Sequence, residues 1–390
     1  MKQLSMNCRN CNGKIIFAKI VPNSFRGSKL YVCKKCDLIQ TFYSKDYDQQ
    51  KDSHSTKYKG TRLVSISSGP RWGNVRHGKE LRFNSHKKLI DEIFKKNEIK
   101  KVFDDGVNRG TFAKYCQKKK VFHNGCEPDK KCFQNYKYLK NKIKNCITEK
   151  FITKKKFDLI YSAHTLEHVE NINNHLKKIN NLLLENGIFF LEIPNSNQIF
   201  YSKKIYEEYF IDKHLNHFTP STIFKIVEKY GFFSERIISN QYNIILILRK
   251  KNKTKNNNKE FKNYLNLTNI IKDYYSNKIK SINKIKQISK KINFLKKHKE
   301  TVFFGAGKIL NTFFENGLNT KNVKFLIDNF LSGKIKENHN LKIYNSNYLK
   351  NKKFKNLTIF IFARDAEDEI YDFLKKNNFR SVIKISNYFK

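Results

Sequence analysis

Val102-Phe103-Asp104-Asp105-Gly106-Val107-Asn108-Arg109-Gly110-Thr111-Phe112, followed after a helix-length gap by Gly125-Cys126-Glu127-Pro128, is the stretch that decides the reading of this chain. A short apolar strand ends in an acid. A glycine turn, a helix, a second strand and a second acid follow. A βαβ unit of this shape forms a pocket for an adenosine-bearing cofactor at its strand ends. Gly106 and Gly110 let the backbone approach a ligand, and Glu127 is placed to accept hydrogen bonds from two ribose hydroxyls. The dinucleotide fingerprint G-x-G-x-x-G is absent, because Asn108 stands where its second glycine would fall. The residues expected to line the cofactor are Asp104, Gly106, Asn108, Gly110, Glu127 and Pro128, with Ser162 and His164 from the strand end described below.

Outward from this unit, residues 76–250 alternate strand and helix. His86–Lys96 reads as an amphipathic helix, Lys101–Phe103 as the first strand, Lys120–His123 as the approach to the second, and Phe157–Tyr161 as a third. Ile172, Leu176, Ile179, Leu182 and Leu183 recur at helical spacing over 172–184. Gly187 is expected to cap that helix and Ile188–Ile193 to form the next strand. Pro220–Tyr230 reads as a further helix with Thr219 as its N-cap. The alternation predicts an α/β fold with a mostly parallel, Rossmann-like sheet covered on both faces.

The chemistry-bearing residues fall at the carboxyl ends of these strands, where open α/β sheets bind ligands. One cluster is Ser162-Ala163-His164-Thr165-Leu166-Glu167-His168, and the other is Asp212-Lys213-His214-Leu215-Asn216-His217. Histidine titrates near neutral pH and suits removal of a proton from an acceptor hydroxyl. His168, His214, Glu167 and His217 are therefore the candidate catalytic residues. Two mechanisms compete. In one, His168 or His214 is a general base. In the other, His164, Glu167 and His168 share a helical face and, with His214 or His217, hold a divalent metal that acidifies the acceptor.

The flanking segments differ in character. Cys8-x-x-Cys11 and Cys33-x-x-Cys36 in residues 1–50 have the spacing of a four-thiolate structural zinc ribbon. Residues 51–75 are polar and read as a linker or mobile loop. Residues 251–298 are strongly basic and predict a helical connector after a low-complexity turn at 255–259. Residues 299–390 restart a βαβ pattern, with Gly305-Ala306-Gly307 opening a helix and Asp328 one unit later. That turn either closes a small α/β domain or holds a phosphate.

The chain of 390 residues has 79 basic and 34 acidic side chains, a net charge of +45. Lysine and asparagine are spread throughout, so the charge follows composition more than a localised nucleic-acid patch. Nucleic acid is the less favoured partner, and small anionic substrates are favoured electrostatically. No apolar run reaches the roughly 18 residues of a membrane span. The first residues lack the apolar core of a signal peptide, so a cytoplasmic protein is expected. Cys116, Cys126, Cys132 and Cys146 read as buried single thiols. No motif speaks to oligomeric state.

The three-part layout resembles the deoxysugar C-methyltransferase family of S-adenosylmethionine-dependent enzymes. That family has an N-terminal zinc module, a central class I methyltransferase domain and a smaller C-terminal Rossmann-like domain. Gly106-Val107-Asn108-Arg109-Gly110 is similar to its glycine loop, Gly125-Cys126-Glu127-Pro128 to its ribose-binding strand end, and Gly305-Ala306-Gly307 with Leu326-Ile327-Asp328-Asn329 to its last domain. The resemblance implies S-adenosylmethionine and a structural Zn²⁺ as cofactors and a sugar or nucleotide-sugar as substrate. The family's Tyr-His-Glu-His motif reads Ile211-Asp212-Lys213-His214 here, which moves the expectation from carbon towards oxygen or nitrogen methylation. His164-x-x-Glu167-His168 also resembles the Glu-x-x-Glu-His metal motif of small-RNA 2′-O-methyltransferases and ubiquinone-pathway O-methyltransferases. The alternatives are thus a metal-assisted RNA 2′-O-methyltransferase and a non-catalytic binding protein that keeps the cofactor fold.

Overall fold

The computed structural model describes residues 6–22, 27–43, 75–76, 79–108, 110–129, 142–201, 209–210, 214–240, 242–251, 264–333, 336–351, 354–363 and 366–389. The loop expected over 51–75 (all but its last residue), the low-complexity turn at 255–259, Cys132 and Ile211–Lys213 lie outside them. The chain divides into two compact units: Met1–Ser202 with Phe210–Tyr274, and Lys203–Tyr209 with Tyr275–Lys390.

In the first unit, β1 (Ile15–Ile20), β2 (Lys29–Cys33) and β3 (Ile39–Phe42) form an antiparallel ribbon. A short hairpin, β4 (Val75–Arg76) and β5 (Lys79–Glu80), leads into α1 (Leu81–Lys96). Then come β6 (Lys101–Asp105), α2 (Thr111–Lys118), β7 (Phe122–Cys126), β8 (Ile143–Lys144), β9 (Phe157–Ala163), α3 (Ile172–Leu182) and β10 (Leu183–Pro194). The two-residue β11 (Asn216–His217), α4 (Pro220–Lys229), β12 (Phe232–Ser239) and β13 (Asn243–Lys250) complete the unit's strands. The main sheet has the order β12-β13-β10-β9-β6-β7-β8. Its pairings from β10 to β8 are parallel, and β13 runs antiparallel to both its neighbours. The chain starts at β6, runs outward through β7 and β8, then crosses to β9. The switch point lies between β6 and β9, where ligands of open α/β sheets bind.

Strand alternation assigns the two faces. Phe103, Ile160, Phe189 and Leu191 pack with Ile172, Leu176 and Ile179 of α3. Val102, Leu159, Tyr161 and Phe190 pack with Ile90 and Ile93 of α1 and with Phe112 and Tyr115 of α2. Each such fully buried side chain contributes about 1.5–3 kcal/mol, so both helical layers are bound tightly to the sheet.

Several sequence expectations shift. The first strand runs to Asp105, two residues beyond Phe103, and α1 begins five residues before His86. Helix α3 ends at Leu182, and Gly187 does not cap it: it lies inside β10. Leu183 already pairs with Phe157 of β9. Lys250 Nζ donates to the carbonyls of Asn180 and Leu183 at 3.1 and 3.2 Å, so a lysine does the work expected of a glycine cap. Thr219 is the N-cap of α4, its Oγ1 accepting from Thr222 N–H at 3.2 Å. Cys116 and Cys126 are buried, but Cys146 is partly exposed.

In the second unit, β14 (Thr301–Phe304) is the centre of a sheet with the order β16-β17-β15-β14-β18-β19, formed with β15 (Val323–Ile327), β16 (Glu337–Asn338), β17 (Leu341–Tyr344), β18 (Thr358–Ile361) and β19 (Val382–Lys384). All pairings but β16–β17 are parallel. Among the described residues of the basic segment 251–298 is the helix α5 (Tyr264–Leu295), which runs from the end of the first unit into the second.

Candidate functional site

The glycine turn after β6 is built by three local requirements. Gly106 has φ +85°, and a Cβ there would sit 2.4 Å from Thr165 Oγ1, which itself donates to the Asp105 carbonyl. The glycine is thus demanded by Thr165 as well as by its left-handed backbone. Asn108 has φ +49°, a conformation asparagine tolerates, which explains why it can replace a glycine. Gly110 is left-handed at the N-cap of α2. Gly106→Ala is expected to lower unfolding free energy by about 1–3 kcal/mol, read as a lower denaturant midpoint. Adding Thr165→Ala should recover only the steric part of that loss.

Glu127 follows β7 and is 4% exposed. Its Oε2 accepts from Asn108 N–H at 2.8 Å and its Oε1 from Asp129 N–H at 2.9 Å. Pro128 is fixed behind it by Asn145, whose side-chain amide donates to the carbonyls of Glu127 and Pro128. Burial pushes the Glu127 carboxyl up to about 7, against the pull of those two N–H groups. Asp104 is buried against His123 at 3.4 Å, and burial raises its carboxyl despite that neighbour.

Ser162 was expected at the cofactor, but its hydroxyl donates to Asp105 Oδ2 at 2.7 Å in the interior. Asp105 also accepts from Thr148 at 2.5 Å and lies 3.1 Å from His175 Nε2. Burial opposes charge on His175, but Asp105 and Glu149 outweigh it and hold its pKa up at about 10. This charged cluster anchors the residue just before the glycine turn.

The two histidine clusters of the sequence do come together. The His168 and His214 rings lie 4.9 Å apart, and His214 and His217 6.2 Å. Glu167 is fully buried, with Oε1 3.1 Å from His164 Nδ1 and 3.9 Å from His168 Nε2. Burial opposes its charge, but His164 and His168 prevail and lower its carboxyl. Among the described residues, Glu167 Oε2 finds no hydrogen-bond donor. Ligand atoms of Glu167, His168 and His214 lie within 4.8 Å of one another. His164 did not join that group: left-handed at φ +58°, it bridges Glu167 to Glu192 Oε2 at 3.3 Å. His217 is buried, with Nε2 2.8 Å from Thr41 Oγ1, and burial, Arg9 and His168 hold its pKa down at about 3. It is a neutral ring across the physiological range.

Sequence reasoning missed the continuation inward. Glu192 Oε1 lies 3.1 Å from His86 Nε2, and His86 Nδ1 lies 2.9 Å from Tyr161 Oη. Burial opposes the Glu192 charge, but His164 and His86 outweigh it and keep the carboxyl ionised. The available signal was a glutamate inside the otherwise apolar run Ile188–Ile193. Tyr161, His86, Glu192, His164, Glu167 and His168 form an alternating series of hydroxyl, imidazole and carboxylate groups leading to the rim.

In the ribbon, Cys8 and Cys36 Sγ atoms are 3.5 Å apart, as are those of Cys11 and Cys33, and all four lie within 4.8 Å of one another. The sulfur edge of a tetrahedral site with Zn–S near 2.3 Å is roughly 3.8 Å, so the donor set fits. The two knuckles repeat one geometry. Asn12 N–H donates to the Cys8 carbonyl and Asp37 N–H to that of Cys33, and Asn12 and Asp37 both have φ +56°.

A family model described as a methyltransferase domain matches residues 79–234. No curated protein matches the chain. Among solved structures, the Burkholderia thailandensis 1,6-didemethyltoxoflavin-N1-methyltransferase is similar with 11% identity and a TM-score of 0.41, over 60% of this chain and 99% of that one. A SAM-dependent methyltransferase from Archaeoglobus fulgidus is similar with 16% identity and a TM-score of 0.36, over 43% of this chain and 94% of that one. The N-methyltransferase NodS from Bradyrhizobium japonicum WM9 is similar with 12% identity and a TM-score of 0.34, over 43% and 95%. A sheet switching between β6 and β9 and a glycine turn at the switch fall within the residues that match the family model, so residues 79–234 form a methyltransferase domain.

Proposed function

We propose that this methyltransferase modifies a sugar hydroxyl, on a nucleotide-sugar or surface-glycan precursor, with His168 and His214 as the proton-accepting pair. The observation that carries the reading is the pairing of those two rings above the buried Glu167, just past the carboxyl end of β9. Gly106, Asn108, Gly110, Glu127 and Pro128 would hold the cofactor. Glu127 suits a ribose diol, because a carboxylate accepts about four hydrogen bonds and its two backbone bonds fix its direction. S-adenosylmethionine, when bound, supplies a methyl group on a positively charged sulfur. His168 or His214 takes the acceptor proton as the new O–CH3 bond forms and the S–CH3 bond breaks. Glu167 and the carboxylate–imidazole series behind it favour the resulting imidazolium. The remaining task is alignment of donor and acceptor. The enolising tyrosine and glutamate of the resembling family have no counterparts at 211–213, which favours oxygen over carbon. Cys8, Cys11, Cys33 and Cys36 would hold a structural Zn²⁺.

A second reading is favoured by the unsatisfied Glu167 Oε2 and the ligand spacing of Glu167, His168 and His214: a divalent cation at those three residues, serving an RNA 2′-hydroxyl. One experiment separates them. The purified protein is incubated with methyl-labelled donor and either a nucleotide-sugar panel or RNA, with and without mild chelator, and its zinc content is measured. Labelled sugar that survives chelation, with about one zinc per chain, is the expected result. Labelled RNA alone overturns the substrate class. Chelator-sensitive transfer with zinc retained assigns the cation. Donor binding without any product favours a non-catalytic protein.

A further inference from the structure

The segment carrying His214 and His217 is gripped from two sides. On one side, β11 adds to the edge of the cysteine ribbon, antiparallel to β3, with Asn216 opposite Gln40 and His217 opposite Ile39. The Leu215 carbonyl accepts from Thr41 N–H at 2.9 Å and from Arg9 Nη1 at 3.0 Å. Arg9 is held in turn, its N–H donating to Gln40 Oε1 at 2.8 Å and its guanidinium lying over the Phe42 ring. On the other side, Leu215 N–H donates to the Glu167 carbonyl at 2.8 Å, and the Asn216 side-chain amide donates to the Val169 carbonyl at 2.6 Å. Leu215 and Asn216 thus tie the ribbon to the turn that carries Glu167 and His168.

A strand of two residues has no stability of its own. Its geometry comes from the edge it joins, as in other cases of strand addition. Cys8, Cys33 and Leu38 of the ribbon lie in the same buried cluster as Leu166, Val169 and Phe218. Tyr230 Oη donates to Asn10 Oδ1 at 3.2 Å, fixing the first cysteine knuckle to the end of α4.

We infer that the cysteine ribbon is a structural part of the catalytic centre, and that Arg9 and Thr41 are positioning residues that set His214 against His168 through Leu215 and His217. The inference rests on the proton-acceptor roles proposed above. The glycine turn is bonded to β7 through the Cys126 carbonyl, and Glu127 to Asn108 and Asp129, so cofactor binding is expected not to depend on this clamp.

The test uses Thr41→Val, Thr41→Ser and Arg9→Met in the full chain. Each is measured by calorimetry with S-adenosylhomocysteine and by imidazole ¹⁵N–¹H NMR of His168, His214 and His217. Where a methyl acceptor is in hand, kcat and KM are added. The expected result is S-adenosylhomocysteine affinity within about twofold of wild type, displaced ring signals of His214 and His217 in Thr41→Val and Arg9→Met, and wild-type signals in Thr41→Ser. In turnover, kcat should fall while KM for the donor holds. Unchanged histidine signals in both Thr41→Val and Arg9→Met overturn the inference. So does a loss of S-adenosylhomocysteine binding that parallels the signal changes, since that marks general unfolding. Failure to find any methyl acceptor would count against the proposed substrate and leave the NMR and calorimetric outcome standing.

Discussion

Glu127→Ala is expected to weaken S-adenosylmethionine and S-adenosylhomocysteine binding about a hundredfold, taking a hydrogen bond to a charged acceptor as worth about 1.5–3 kcal/mol and allowing water to recover part of two such bonds. Isothermal calorimetry reads the effect directly. The substitution also removes the acceptor for Asn108 N–H, so the left-handed turn at Asn108 loses its tether and the glycine loop its shape. The pH dependence gives the prediction a second edge. With the Glu127 carboxyl near 7, only the ionised form accepts from both hydroxyls of a diol. Affinity should therefore fall by up to about tenfold per unit as pH drops below that value. Stability runs the other way. The carboxyl sits above its ordinary value of 4.5 in the folded state. Between that value and about 7 the native protein holds a proton that the unfolded chain releases. Its share of the folding free energy falls as pH rises through the window. Binding that improves while the apoprotein weakens is the signature, and Glu127→Gln should flatten both trends.

His168→Ala and His214→Ala are expected to reduce kcat by about 10²- to 10⁴-fold, the usual worth of a general base, while leaving the dissociation constant for S-adenosylhomocysteine within about twofold. Single-turnover measurements with excess enzyme isolate the chemical step. The double variant should lose little more than the worse single one if the rings act as a unit, because groups serving one proton transfer are not additive. Equal losses of kcat and cofactor binding would place these rings at the donor and remove them from the acceptor side. His217→Ala should act differently: its ring is neutral and buried against Thr41, so it should lower thermal stability as well as rate.

Much of this was written locally in the chain. The step from Val102-Phe103 into Gly106, and the paired cysteine spacings, specify structure within a few residues of themselves. They were legible for that reason. Thr219 capping α4 is equally local. The end of α3 was not. Helical periodicity runs on to Leu184, and the chain departs from it because Leu183 pairs with Phe157 and because Lys250, distant in sequence, takes the last carbonyls. The same holds at the site. His164, Glu167 and His168 could be named from one short run. Glu192 and His86 acquire meaning only when β10 and α1 meet beside that run, and no spacing rule connects them. Ser162 shows the converse: a polar residue at a strand end reads as a ligand contact, and in the fold its hydroxyl is held by Asp105. The clamp of β11 by the ribbon joins residues 176 positions apart, Gln40 and Asn216 or Thr41 and His217, and only the folded chain reveals it.

The second unit carries a quieter lesson in its turn after β14. Asp328 Oδ2 accepts from Ala306 N–H at 3.0 Å, and its Oδ1 accepts from Phe330 and Leu331 N–H at 2.9 Å each. A sugar diol arriving there would compete with three backbone donors already seated on one carboxylate, each worth about 1.5–3 kcal/mol to displace. The turn is self-sealed: its acid serves as a rivet between two loops, so the second sheet gains rigidity from a carboxylate at the strand end that corresponds to Glu127 in the first.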